Sequence, residues 1–161
     1  MHDPNALRHP PVVVTAMPAR DAYDYDYFET RLADAWLLEK SVALRTLRMP
    51  FLAVPVGGTR RGGYYCIPCL CFGLAVRNVL QDRPGFPNLR LKWAPYPDTC
   101  HVVEWGEREP ARWWDDVARG RFYGYSDPAI AEFIGLHTDA APIGGPKTPS
   151  SAVRLRSPAV S

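Results

Sequence analysis

The sequence predicts a small α+β domain, a mostly antiparallel sheet with helices packed on one face, between disordered N- and C-terminal tails. Three observations carry this. Residues 70–82, "LCFGLAVRNVLQD", repeat apolar side chains at helical spacing, and "NLRLKW" alternates apolar and polar residues as a half-buried strand does. The elements then run helix, strand, strand, helix, strand, strand, helix, an order that segregates helices from an antiparallel sheet rather than alternating them with parallel strands.

The ends are read first. Seventeen prolines in 161 residues is about twice the usual ~5%. Residues 1–20 are polar and Pro-rich apart from "VVV", and 137–161, "HTDAAPIGGPKTPSSAVRLRSPAVS", are small, polar and Pro-punctuated. Neither offers enough apolar surface to offset the entropy of ordering, so the folded unit is expected over 21–136.

Within it, "DYFETRLADAWLLEKSVAL" reads as helix. Asp26 followed by Glu29 makes a capping-box-like start, Phe28, Leu32, Ala35 and Trp36 keep helical spacing, and Asp34 is a candidate cap for a second segment. "SVALRTLRMPFLAVPVGG" reads as two short strands or one bent edge strand, "TRRGG" as a turn and "YYCIP" as the next strand. In the helix over 70–82, Phe72, Ala75, Val76, Val79 and Leu80 form the apolar stripe, and "RPGFP" ends it.

"NLRLKW" and "TCHVVEW" pair as a hairpin, with Leu89, Leu91, Trp93, His101, Val103 and Trp105 on the dry face and Arg90 and Lys92 outside near Glu104. A short helix is expected at 111–118, then a Gly-rich aromatic connector. A last helix starts at Ser126 or Asp127 with Pro128 at its first position, and buries Ala129, Ile130, Phe133 and Ile134.

The length fits one domain with a real core. Lys+Arg 19 against Asp+Glu 17 gives a formal charge of +2, too small by itself to attract nucleic acid or an acidic membrane. The N-terminal residues hold no secretory apolar run, and "PVVVTAM" falls far short of the ~20 residues that span a bilayer, so a cytoplasmic protein with no membrane partner is expected. Four cysteines without an export signal then read as reduced thiols rather than a disulfide framework. Abundant Ala, Arg, Pro and Gly with few Lys points to a high-GC bacterial source.

Three cysteines, Cys66, Cys69 and Cys71, lie within "YYCIPCLCFG", and Cys100 precedes His101. Zinc needs four converging ligands, and neighbours on a strand point to opposite faces, so Cys100 and His101 cannot easily share an ion. Residues two apart on a helix do not face each other, which sets Cys71 apart from its neighbours. The expectation is that Cys66, Cys69 and Cys71 do not share a centre and pack at a strand-to-helix junction, with no metal and no cofactor. A redox CxxC is the other reading, since Cys69 lies close to a helix N-terminus.

His101 is the candidate acid or base, with Asp98 and Glu104 near in sequence. On a strand Glu104 faces away from it, and the plain alternative is a packed histidine. "VGGTRRGG" offers Arg60 and Arg61 with Tyr64 as an anion contact. It lacks the Walker and dinucleotide glycine patterns, and a hairpin turn with solvated arginines also explains it. "RWWDDVARGRFYGY" packs five aromatics and three arginines into fourteen residues, including Trp113, Trp114, Arg121, Tyr123 and Tyr125. Such interleaving suits an interface anchor or stacking on bases, and equally a satellite apolar cluster.

The pieces "FLAVPVGG", "RRGGYY", "GLAVRNVLQDRPGFPNLRLKW", "YPDTCHVVEWGE" and "GRFYGYSDPAIAEFI" together resemble a domain-of-unknown-function family of short actinobacterial, Streptomyces-type proteins. That family has no assigned activity, so the resemblance implies a bacterial cytoplasmic origin and no site residues. The leading expectation is a non-enzymatic protein that binds a macromolecular partner, a protein or a nucleic acid, through the surface around Arg60, Arg61 and residues 113–125. The alternative is a small enzyme acting on an anionic or phosphorylated substrate, with His101 as acid or base and Arg60 and Arg61 as clamps. A zinc- or thiol-dependent protein is the third reading.

Overall fold

The computed structural model describes residues 12–94, 100–112 and 114–139. Among the described residues, six strands form two three-stranded antiparallel sheets, where the sequence predicts one. The first sheet orders β1 (Thr15–Pro18), β2 (Val42–Arg45) and β3 (Pro50–Ala53); the second places β6 (His101–Gly106) between β4 (Gly62–Ile67) and β5 (Arg90–Lys92). The α+β class holds, and β1 lies inside the 1–20 stretch expected to be a tail.

The first sheet is covered on both faces. Val42, Leu44 and Ala53 face the main core, while Ala43, Leu52 and Val54 face a second cluster with Ala22, Leu32, Leu37 and Leu38. Because β2 is buried on both faces, its "VAL" run shows no alternation, and the helical spacing before it runs on without a visible break. Accordingly, "DYFETRLADAWLLEKSVAL" is not one helix. It divides into α1 (Tyr25–Glu29), a 3₁₀ turn at Ala35–Lys40, and β2. Asp24 rather than Asp26 precedes α1, and its Oδ1 accepts the Leu52 N–H at 2.8 Å, covering the open edge of β3.

The second sheet buries Tyr65, Ile67, Val103 and Trp105 against the first sheet and against α2 (Leu70–Gln81), which contributes Val76 and Leu80. Each such side chain stabilises the fold by ~1.5–3 kcal/mol. Among the described residues, two hydrogen bonds tie the second sheet to the first and to the residue that follows β3. Trp105 Nε1 donates to the Val54 carbonyl at 3.0 Å, and the Tyr65 hydroxyl donates to the Leu44 carbonyl. The indole lies so close over β4 that a Cβ on Gly63 would fall 2.5 Å from its Cε2, so only glycine fits there.

The hairpin pairs as predicted. Leu91 lies opposite Val103 and Arg90 opposite Glu104, and Arg90 and Lys92 both reach Glu104, at 3.2 and 3.5 Å. Trp93 departs from the expected dry face and is 62% exposed. The helix expected at 111–118 lies later, as α3 (Asp116–Phe122), capped by Asp115, whose Oδ1 accepts the Ala118 N–H. α4 (Asp127–Asp139) begins after Ser126, whose Oγ accepts the Ala129 N–H, so Pro128 is its second residue. Helices therefore lie on both faces of the second sheet, α2 inside and α3 over its Gly62 end, where a Cβ on Gly62 would meet the Phe122 ring.

Two outcomes are expected. Trp105→Phe leaves the Val54 carbonyl without its donor and opens a small void, and should lower the unfolding free energy in urea by about 2–4 kcal/mol. Burial raises the Asp24 carboxyl from 3.8 to about 6 despite the Leu52 N–H. The folded state then holds more protons than the unfolded state between those values, so this group's contribution falls as pH rises from 4 to 7. Asp24→Asn should therefore flatten that fall by about 1–2 kcal/mol, a figure discounted for partial exposure and measured by denaturation at the two pH values.

Candidate functional site

The residues that converge lie at the Gly62 and Gly106 end of the second sheet. Gly57 and Arg60 close a tight turn with reciprocal backbone hydrogen bonds of 3.0 and 2.9 Å. Asp34 braces it, accepting from the Thr59 N–H and hydroxyl, both at 2.7 Å, and these bonds hold its carboxyl below the usual range. The turn sends Arg60 inward. It is only 5% exposed, its Nη1 donates to the Tyr123 carbonyl, and the guanidinium lies 5.9 Å from the Tyr123 ring centroid. The solvated arginine expected at this position is a buried one.

The surroundings of Arg60 are aromatic. Burial pushes its guanidinium pKa down, opposed by Tyr125, Tyr123 and Tyr64. Burial pushes all three phenols well above their ordinary value. Arg60 makes no ion pair with a carboxylate among the described residues, and its Nε is buried without a hydrogen-bond partner. A buried cation without a counter-ion is costly, so the Tyr123 carbonyl and the rings must hold it.

Around this centre opens a groove of about 1280 Å³, lined by Val56–Arg61, Pro87, Asn88, Gly106–Arg108, Pro110, Ala118, Arg121, Phe122 and Tyr125–Pro128. Arg61, exposed, forms a two-pronged pair with Glu107, at 2.9 Å for the closest contact, and Arg121 lies 3.4 Å from Asp127. Of the predicted binding residues, Arg60, Arg61, Arg121 and Tyr125 line the groove. Tyr123 and Tyr64 stand behind it, their rings 5.5 Å apart and edge to face. Trp114, 65% exposed, lines a separate shallow depression with Arg112, Asp115, Asp116, Val117 and Ile134. Trp113 lies outside the described residues, as does Asp98. The sequence reading missed Arg108 and the start of α4; the Ser126 cap was legible, but nothing local shows that it faces the Gly57 turn.

His101 is elsewhere. It sits at the far end of β6, opposite Ile67, about 20 Å from Arg60 by the length of the six-residue strand β4 at ~3.4 Å per residue. Its ring stacks on Trp93 at 4.1 Å, and its Nδ1 accepts the Ala94 N–H at 3.0 Å, which places any ring proton of the neutral form on Nε2. Glu104 belongs to the other face with Arg90 and Lys92. The structure therefore does not bring His101 together with Arg60 and Arg61.

The cysteines need one correction. Cys69 and Cys71 lie at disulfide distance, with Cα atoms 5.6 Å apart, so the expectation of reduced, unshared thiols does not hold. Cys69 is not helical. It caps α2 in an extended conformation, with φ −150° and ψ 166°, and this turns its side chain toward Cys71. Cys66 Sγ touches Cys100 Sγ at 2.9 Å on the outer face of the sheet, while His101 lies on the inner face, so Cys100 and His101 do point opposite ways. Among the described residues, no group of three or more His, Cys, Asp or Glu side chains could hold a metal ion. Nor is any described helix long and apolar enough to cross a membrane.

The fold and groove define a small α+β protein of two packed antiparallel sheets, with an arginine-bearing groove at one end of the second. The chain belongs to DUF6302, a family of unknown function whose pattern matches residues 16–160, beginning within β1. No curated protein and no solved structure matches it.

Gly124 tests the centre of the site. It has φ +73°, and a Cβ there would lie 2.6 Å from Arg60 Cβ. Gly124→Ala should cost about 1–2 kcal/mol for the left-handed backbone alone and more for the contact. A loss of at least ~2 kcal/mol in urea is expected, and an unchanged midpoint would contradict the close packing.

Proposed function

We propose that this chain is a non-enzymatic accessory protein of the actinobacterial cytoplasm, and that it captures a segment of a protein partner in the groove beside Arg60. One observation carries this reading: the fold brings Arg60 and Arg61 together with Arg121 and Tyr125, from two segments distant in sequence, along one groove. Arginine and tyrosine are the residue types that anchor protein interfaces.

The lining favours a protein over a nucleic acid. Four arginines, at 60, 61, 108 and 121, are interspersed with Glu107 and Asp127, and Pro87, Pro110, Phe122 and Pro128 add apolar surface. A phosphate backbone calls for a basic stripe, which the two carboxylates interrupt. The distance between His101 and the arginines weighs against the anionic-substrate enzyme, which needs its acid or base beside its clamp. Cytoplasmic and actinobacterial origin rest on composition and on the sequence resemblance.

Photo-cross-linking in cells of the source type tests the reading. A photoreactive residue at Ala118, in the groove, should yield a defined protein adduct. One at Leu47, exposed on the loop between β2 and β3, should not. The double variant Arg108→Glu/Arg121→Glu should cut the Ala118 adduct about tenfold, the loss of ~1.4 kcal/mol of binding. Equal labelling from both positions, or adducts to nucleic acid, would overturn it.

A further inference from the structure

The groove leaves the cysteines unexplained, and all four belong to one region of the molecule. Cys66 is the fifth residue of β4, Cys69 caps α2, Cys71 lies in the first turn of α2, and Cys100 immediately precedes β6. β4 and β6 pair directly, with Cys66 opposite Val102, so Cys100 is the diagonal cross-strand neighbour of Cys66 on the same face. Their sulfurs are 2.9 Å apart. Cys66 is exposed and Cys100 half-buried.

We infer that Cys66 and Cys100 form a redox-active pair that exchanges with low-molecular-weight disulfides of the glutathione type. Two features carry this. The sulfurs already touch, so closing the bond needs no large rearrangement. Diagonal partners in an antiparallel ladder have Cα atoms ~7–8 Å apart, a little beyond the usual span of a disulfide. Cys100 lies just outside β6, so its end of the chain can approach without breaking a ladder hydrogen bond. The exposures differ in the sense such chemistry uses: the accessible Cys66 meets the reagent, and the more sheltered Cys100 resolves the adduct.

The chemistry balances with the named co-reactant. The Cys66 thiolate attacks one sulfur of the small disulfide RSSR, forming a mixed disulfide at Cys66 and releasing one RS⁻. The Cys100 thiolate then attacks the Cys66 sulfur, closing Cys66–Cys100 and releasing the second RS⁻. Two protein thiols are oxidised by two electrons, one RSSR is reduced to two RSH, and the two protons lost by the cysteines end on the leaving thiols. Excess RSH reverses both steps.

The test equilibrates the full chain with mixtures of reduced and oxidised glutathione, blocks remaining thiols with N-ethylmaleimide, and maps the linkages by mass spectrometry. The expected result is one reversible two-electron transition in which a Cys66–Cys100 linkage appears. Cys100→Ser should lack that linkage and accumulate glutathione on Cys66 about tenfold over the wild type, because the resolving step is gone. Cys66→Ser should lose both products, and circular dichroism of each variant reports that it is folded. The inference is overturned if alkylation of Cys66 and Cys100 is independent of the glutathione ratio. It is also overturned if oxidation joins Cys66 to Cys69 or Cys71, or if folded Cys100→Ser traps no adduct at Cys66. The wild-type titration decides the matter even if a serine variant does not fold.

Discussion

The hydrogen bond from Trp105 to the Val54 carbonyl is the contact on which the rest of the structure depends. Two three-stranded sheets of three- to six-residue strands are each too small to be stable alone, and each needs the other's apolar face. Apolar packing is non-directional and could be satisfied by several offsets between the sheets. The indole donor and the Tyr65 hydroxyl accept only one, because each must find a particular carbonyl of the opposite sheet. Phe86 closes the other side of the indole, its ring 5.1 Å away and edge to face. The bond also reaches the groove. Val54 leads through the fully buried Pro55 to Val56, whose N–H donates to the Gly85 carbonyl, and then directly into the Gly57–Arg60 turn. Fixing Val54 therefore fixes where Arg60 enters the protein.

Arg60 is the second constraint, and it works by a different balance. Its guanidinium is buried without a carboxylate among the described residues, which would favour its expulsion to water unless the surroundings were rigid. Rigidity comes from the segment that accepts it. The Tyr123 carbonyl takes its Nη1, the Gly124 carbonyl takes the Ala33 N–H at 2.9 Å, and the Ser126 N–H donates to the Arg31 carbonyl at 2.8 Å. The stretch from Tyr123 to Ser126 is thus tied to residues 31–33 as well as to the turn. Arg60 joins the turn to this stretch and the stretch's backbone joins residues 31–33, and the groove walls are held at those joints.

How much of this was legible depends on how local each signal is. The α2 stripe and the β5–β6 hairpin were readable because helical period, strand alternation and the Arg90, Lys92 and Glu104 charges all lie within short windows. The division into two sheets was not, since β2 is buried on both faces and its apolar run carries no period. Trp93 was placed inside by alternation, but β5 ends at Lys92 and the rule ends with it. The burial of Arg60 was invisible because its acceptor, Tyr123, is sixty-three residues away and a glycine-flanked arginine ordinarily lies in solvent. The Cys69–Cys71 pair is hidden from helical spacing, which holds only from Leu70 onward. Cys69 stands outside α2, in extended backbone.

The second sheet's outer face ties the two candidate regions together. Along β4, Tyr64 and Cys66 share that face, being two residues apart. The Tyr64 ring packs on Tyr123, and Tyr123 both stacks near Arg60 and gives it a carbonyl. Cys66, Tyr64, Tyr123 and Arg60 therefore form one row from the sulfur pair to the groove, made of a strand, two rings and a buried cation. Rings in edge-to-face contact transmit displacement poorly when their surroundings can relax and well when they cannot. Here Tyr123 is held by α3 and by the Gly124 ties, so the row has little slack at its groove end. Cys100 lies outside the β6 ladder, at the other end of the row. A change of bonding between Cys66 and Cys100 would thus act at the opposite end of the row from the turn that carries Arg60.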